Sequence, residues 1–184
     1  ALARKAKGEQ AVTVVVTGDG AMEEGTFYES ILFFQAQQLP TIVIVENNQW
    51  SLASTIEERR RPLDVESLAQ GVGAGYLHLE GNDVVAYSSA FASLRQEVLD
   101  KSEVVVVEVS LLTLGDWRIK SSAFSDGKFI NYHAGPAPTV DLNEWPLLQA
   151  DNGDPIHVLT EHLGEKVMRS VASEILVELK AEMT

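Results

Sequence analysis

Three apolar runs stand out along the chain, at residues 12–16, 41–45 and 103–111, each rich in β-branched side chains. Runs of this length without polar alternation read as strands buried on both faces, as in parallel sheets covered by helices. A shorter run at 76–79 is expected to join them. Between the runs, apolar positions recur at helical spacing. Residues 23–38 read as a helix with Ile31, Leu32 and Phe34 on its apolar side, leading to Leu39 and ended by Pro40. Further helices are expected at 64–70, 84–99 (capped from Gly81-Asn82-Asp83), 155–164 and 165–182, and the last turns of one at 1–7, stopped at Gly8. Strand and helix alternate, which predicts an α/β fold with a parallel sheet flanked by helices. A length of 184 residues suits one domain, read here as 1–184. Residues 112–153 form a long stretch rich in Pro, Gly, Ser and Asp, expected to be a functional or partly mobile loop.

The first two strands run into turns of unusual composition. After the first comes Thr17-Gly18-Asp19-Gly20-Ala21, and after the second Glu46-Asn47-Asn48-Gln49-Trp50. A strand–helix–strand unit with parallel strands puts both turns on the same edge of the sheet. Ligands of open α/β sheets bind at that edge, beyond the carboxyl ends of the strands. The chemistry suits a diphosphate held through a divalent metal. A hard cation such as Mg²⁺ takes oxygen donors, few of them from protein. Asp19 offers a carboxylate, Asn48 an amide oxygen and Trp50 a main-chain carbonyl. Gly18 and Gly20 remove side chains where the backbone turns sharply and meets a phosphate. The amino end of the following helix favours an anion.

Gly-Asp-Gly followed by twenty-six residues and Asn-Asn resembles the thiamine diphosphate motif. The longer segment GDGAMEEGTFYESILFFQAQQLPTIVIVENNQW, and LEGNDVVAYSSAFASLRQEV further on, resemble the alpha subunit of the 2-oxo acid dehydrogenases of the pyruvate, branched-chain and acetoin types. The resemblance implies the thiamine diphosphate-binding fold. It implies cofactor contacts at Gly18, Asp19, Gly20, Ala21 and Asn48, and Mg²⁺ ligands at Asp19, Asn48 and Trp50. The family usually has tyrosine at this last position, but a main-chain oxygen is used there. It further implies a beta-type partner subunit that supplies a glutamate to the aminopyrimidine, an alpha₂beta₂ assembly, a 2-oxo acid substrate and acyl transfer to lipoamide on a carrier protein. This chain would then hold the diphosphate and metal half of a shared site.

Two departures from the family pattern matter. Relatives carry a substantial segment before the position of Ala1, so the chain reads as a fragment or as one piece of a split protein. They also place a histidine in the loop after the strand at 103–111, where this chain has Leu112-Thr113-Leu114-Gly115-Asp116-Trp117-Arg118. His133, in Asn131-Tyr132-His133-Ala134-Gly135-Pro136, is the candidate to serve in its place as a catalytic residue. These departures keep two alternatives open: a split transketolase-like or carboligating enzyme, and a non-catalytic assembly subunit.

Composition narrows the partners. The net charge of −13 argues against a nucleic-acid surface, and no apolar run reaches the length of a membrane span. The absence of cysteine removes thiolate chemistry and disulfides, and is compatible with the expected cytoplasmic location. Several features read as structural. Arg59-Arg60-Arg61 reads as a solvated or partner-facing loop, with phosphate binding the lesser reading. Glu23 and Glu24 read as capping the helix, and Gly71-Val72-Gly73-Ala74-Gly75 as a helix stop with close packing. His78, His157 and His162 lack metal-ligand spacing. Phe27, Tyr28, Phe33 and Phe34, and the stripe Val167, Val171, Ile175 and Leu179, read as core or subunit contacts.

Overall fold

The computed structural model describes residues 1–52, 54–112, 118–129, 147 and 150–182. In chain order it runs α1 (Leu2–Ala6), β1 (Thr13–Gly18), a 3₁₀ turn (Ala21–Glu23), α2 (Gly25–Ala36), β2 (Thr41–Asn47), β3 (Trp50–Ser51), β4 (Ser54–Thr55), α3 (Ile56–Arg59), α4 (Val65–Gly71), β5 (Gly75–Leu79), α5 (Val84–Lys101), β6 (Val104–Ser110), β7 (Arg118–Ser121), β8 (Phe124–Phe129), α6 (Pro155–Leu163) and α7 (Glu165–Glu182).

The four expected strands form one sheet, in the order β1-β2-β6-β5, and every pairing is parallel. Val43 faces Val15 on one side and Val106 on the other. Alternation sends successive side chains to opposite faces, and each face has its own core. On one face Val43, Val45, Val104 and Val106 meet Met22, Phe27 and Ile31 of the first crossover and Val65 and Ala69 of α4. On the other, Ile42, Val105, Val107 and Val109 meet Leu94 and Val98 of α5. This two-sided cover is why β2 and β6 read as unbroken apolar runs.

At the outer strand the cover thins. Val14 and Val16 of β1 are 55% and 58% exposed, although their register partners Ile42 and Ile44 lie on the α5 face. The stripe of α7 is also open: Val167, Val171, Ile175 and Leu179 are all exposed, so they do not pack into the core of this chain. Phe27 is core, whereas Phe33 is exposed.

Helix starts follow local chemistry. Asp64 accepts from the Ser67 N–H, Asp83 from those of Val85 and Ala86, and Asp154 from that of Ile156. Each side-chain oxygen satisfies donors that a helix start leaves unpaired. The expectation for Glu23 and Glu24 is corrected here. Glu24 stands at the cap of α2 without a side-chain capping bond, and Glu23 pairs with arginines. Local structure continues after the second turn. The β3–β4 pair is followed by α3, which is fixed by a capping box between Thr55 and Glu58. Within 112–153 the described residues include an antiparallel hairpin, β7–β8. Among the described residues, no helix is long and apolar enough to cross a membrane.

Candidate functional site

Parallel strands bring the carboxyl ends of β1, β2 and β6 to one edge, and the two turns singled out in the sequence meet there. A cavity of about 350 Å³ opens between them. Gly18, Asp19, Gly20, Ala21, Asn48 and Trp50 all line it. Ser51, Glu46 and Leu111 complete its wall.

The first turn is pinned to the second strand. The Asp19 N–H donates to the Glu46 carbonyl at 3.1 Å, extending the β1–β2 ladder by one step. This leaves Asp19 only 2% exposed. The second turn is built from its own asparagines. The Asn47 Oδ1 accepts from the Gln49 N–H at 3.1 Å, and the Asn48 Oδ1 from the Trp50 N–H at 3.0 Å. Such side-chain-to-backbone bonds let the chain reverse, and Gln49 takes a left-handed φ of 62° to do so. An amide oxygen has two lone pairs, so accepting from Trp50 does not exhaust Asn48 as a donor to a cation.

Asn47 is held by a partly buried polar link. Its Nδ2 donates to the Glu108 Oε1 at 2.7 Å, and the Tyr76 hydroxyl donates to Oε2 of the same carboxylate at 2.7 Å. Burial, with the Glu108 bond in support, pushes the Tyr76 phenol well above its usual range, so it remains a donor. The link joins β2, β6 and β5 directly beneath the second turn.

The glycines have distinct reasons. A Cβ on Gly20 would fall 2.7 Å from both Cβ and Oγ of Ser51, so the two turns close only because this position lacks a side chain. The room at Gly20, expected to face a phosphate, is filled by Ser51. Gly18 is less crowded, with the Glu46 carbonyl 3.9 Å from where its Cβ would stand. The expected helix start beside the turn is also displaced. A 3₁₀ turn over Ala21–Glu23 comes first, and α2 begins only at Gly25.

The basic run is the largest difference from the sequence reading. Arg59 and Arg60 are not solvated: their side chains are 16% and 18% exposed. Arg59 donates from Nη2 to the Asp19 Oδ2 at 3.1 Å, from Nε to the Glu23 Oε1 at 3.1 Å, and from Nη1 to the Ser54 carbonyl at 2.7 Å. Arg60 donates from Nε to the same Glu23 oxygen at 2.8 Å. Burial opposes ionisation of Glu23, but the hydrogen bonds from Arg59 and Arg60 win and hold its carboxyl below the usual glutamate range. One signal for this was present in the sequence. Thr55-Ile56-Glu57-Glu58 is a capping-box pattern, which places a helix at Ile56 and Arg59 one turn later.

The donors around the cavity are a buried carboxylate, an amide oxygen and backbone carbonyls, all hard oxygens of the type a small divalent cation takes. A guanidinium already stands at Asp19, which shows that this carboxylate is matched by positive charge. The oxygen donors suit a hard cation, which at Asp19 would meet the guanidinium already there. Among the described residues, no group of three or more His, Cys, Asp or Glu side chains could hold a metal ion by itself. His78 bonds to the Ser110 Oγ, and His162 to the capping Asp83. His133 and the residues around it lie outside the described residues.

Comparison with known proteins adds an independent line. Residues 1–111 match a family described as Dehydrogenase E1 component. The chain is 29% identical over 115 residues to the pyruvate dehydrogenase E1 component subunit alpha of Bacillus subtilis, covering 62% of this chain and 31% of that protein. It is 29% identical over 107 residues to the mitochondrial 2-oxoisovalerate dehydrogenase subunit alpha 1 of Arabidopsis thaliana, covering 58% and 23% respectively. The match thus spans about a third or less of the length of these relatives. Among solved structures, a transketolase variant from Pichia stipitis superposes on 95% of this chain and 26% of that one, with a TM-score of 0.51 at 14% identity. That likeness shows the fold alone.

Proposed function

Because the chain belongs to the dehydrogenase E1 component family, we propose that it is the alpha-type part of a thiamine diphosphate-dependent 2-oxo acid dehydrogenase. In this reading it holds the cofactor's diphosphate and Mg²⁺. One observation carries the proposal: the 18–21 turn and the 48–51 turn, far apart in sequence, line a single cavity at the carboxyl ends of β1 and β2.

When bound, thiamine diphosphate supplies the carbanion chemistry needed at the carbonyl of a 2-oxo acid. This chain's residues bind and orient. Asp19 and Asn48 offer side-chain oxygens to Mg²⁺, and Trp50 a main-chain oxygen. Gly18, Gly20 and Ala21 bring the backbone of the first turn to the diphosphate. The Tyr76–Glu108–Asn47 link fixes the second turn so that Asn48 is held in place. His133 is retained as the loop histidine that assists catalysis. A beta-type subunit supplies the glutamate that faces the aminopyrimidine, and a lipoyl carrier protein accepts the acyl group. The location in this reading is the cytoplasm.

The test is a product assay of the full-length chain with and without its beta-type partner. Oxidative decarboxylation of 2-oxo acids with acylation of lipoamide is expected, dependent on the partner and lost in Asp19→Ala. Ketol transfer between sugars without lipoamide acylation would replace the reading with a carboligating one. Absence of both reactions in the complete assembly would favour an assembly subunit without catalysis.

A further inference from the structure

Arg59 is held in a way that serves two states. Of its three anchors, the Glu23 carboxylate and the Ser54 carbonyl lie outside the cavity donors; only the bond from Nη2 to the Asp19 Oδ2 enters the set. The guanidinium can therefore give up Asp19 and keep its other partners. Arg59, Arg60, Asp19 and Glu23 together form a cluster of two positive and two negative groups, closed on itself by contacts of 2.8–3.1 Å. A divalent cation ligated by Asp19 would stand beside the guanidinium nitrogen now 3.1 Å from that carboxylate, in a site with little solvent to screen them.

We propose that Arg59 and a divalent cation are alternative partners of Asp19, so that Arg59 sets how tightly the bare cation binds. This rests on the reading of Asp19 as a metal ligand given above. In this arrangement the neutral cluster resists a cation arriving alone. A cation that arrives with an anionic diphosphate brings its own counter-charge, and the released guanidinium has that anion to face. Arg59 is thus a positioning residue. It keeps the buried carboxylate paired and in place, and it couples cation loading to cofactor loading.

The test uses the full-length chain in its native assembly and Mn²⁺ alone, followed by electron paramagnetic resonance of the free ion. Arg59→Gln is expected to tighten Mn²⁺ binding by roughly 5- to 150-fold, the usual span of coupling between two sites. Arg59→Lys, which keeps the charge, is expected to stay near wild type. Adding Asp19→Asn to Arg59→Gln should abolish the gain. Thermal melting in a chelator gives a second readout: Arg59→Gln melts below wild type, and saturating Mn²⁺ narrows the gap. Unchanged or weaker Mn²⁺ binding in Arg59→Gln overturns the proposal, and so does a gain that survives Asp19→Asn. If thiamine diphosphate with Mg²⁺ still binds in an Asp19-dependent way, the site reading stands without the exchange. If that binding ignores Asp19, both fall.

Discussion

Two glycine-rich turns sit at opposite ends of the same sheet. Gly18-Asp19-Gly20 leaves the carboxyl end of β1, whereas Gly71-Val72-Gly73-Ala74-Gly75 leads from α4 into the amino end of β5. In both, a glycine permits a close approach. A Cβ on Gly20 would stand 2.7 Å from Ser51, and one on Gly75 would stand 3.0 Å from the Val105 Cγ2. What surrounds the approach separates them. The second turn is tied by the neutral amide of Gln35, which donates to the Gly73 carbonyl and accepts from the Val104 N–H. The first encloses a buried carboxylate paired with the Arg59 guanidinium, beside oxygen donors from another turn. Glycine reports close packing in either place; the buried ion-pair cluster at the carboxyl edge of the sheet sets the first turn apart.

The sharpest way to break this comparison is to leave the buried carboxylate unpaired. Arg59→Ala is expected to destabilise the chain by about 3 kcal/mol, because a buried carboxylate loses its partner. Adding Asp19→Asn should recover part of that loss, which urea denaturation of the single and double variants measures. Equal destabilisation in both would mean that Arg59 acts through packing alone.

Glycine substitution contrasts the two turns directly. Gly20→Ala is expected to cost about 2 kcal/mol, since it forces the two turns apart, and Ser51→Gly should relieve it. It should also weaken cofactor binding. Gly75→Ala presses on one valine methyl and is expected to cost about 1 kcal/mol while leaving cofactor binding unchanged. Parallel denaturation and binding measurements on both variants check the contrast.

The smallest expected effect concerns acid. The Glu23 carboxyl is held below its usual range, so its stabilising contribution is fully present above the ordinary glutamate pKa of about 4.3. It is lost as pH falls through the lower folded-state value. The stability gap between wild type and Glu23→Gln should therefore close in acid and stay constant at neutral pH.

Much of this was legible in the sequence, for identifiable reasons. Runs of β-branched apolar residues predict β2 and β6 because both of their faces are covered, and parallel topology then places Asp19 and Asn48 on one edge. The Asp64, Asp83 and Asp154 caps are local and could be read directly. Contacts between segments distant in sequence could not. Arg59 reaches Asp19 across forty positions, and its basic neighbours suggested a solvated loop. The room left by Gly20 went to Ser51, a partner that only the folded chain brings near. The α7 stripe has helical spacing, but spacing alone does not say whether a face is covered within this chain, and here it is exposed.

The most direct test of the central claim is a calorimetric titration of thiamine diphosphate, with and without Mg²⁺, into the full-length chain assembled with its beta-type partner, with Asn48→Ala run alongside. Binding that requires Mg²⁺ and falls at least about tenfold in the variant, a loss of about 1.4 kcal/mol, is the expected result. Binding equally tight without Mg²⁺, or unchanged by Asn48→Ala, would contradict the assignment of these two turns as the diphosphate and metal site.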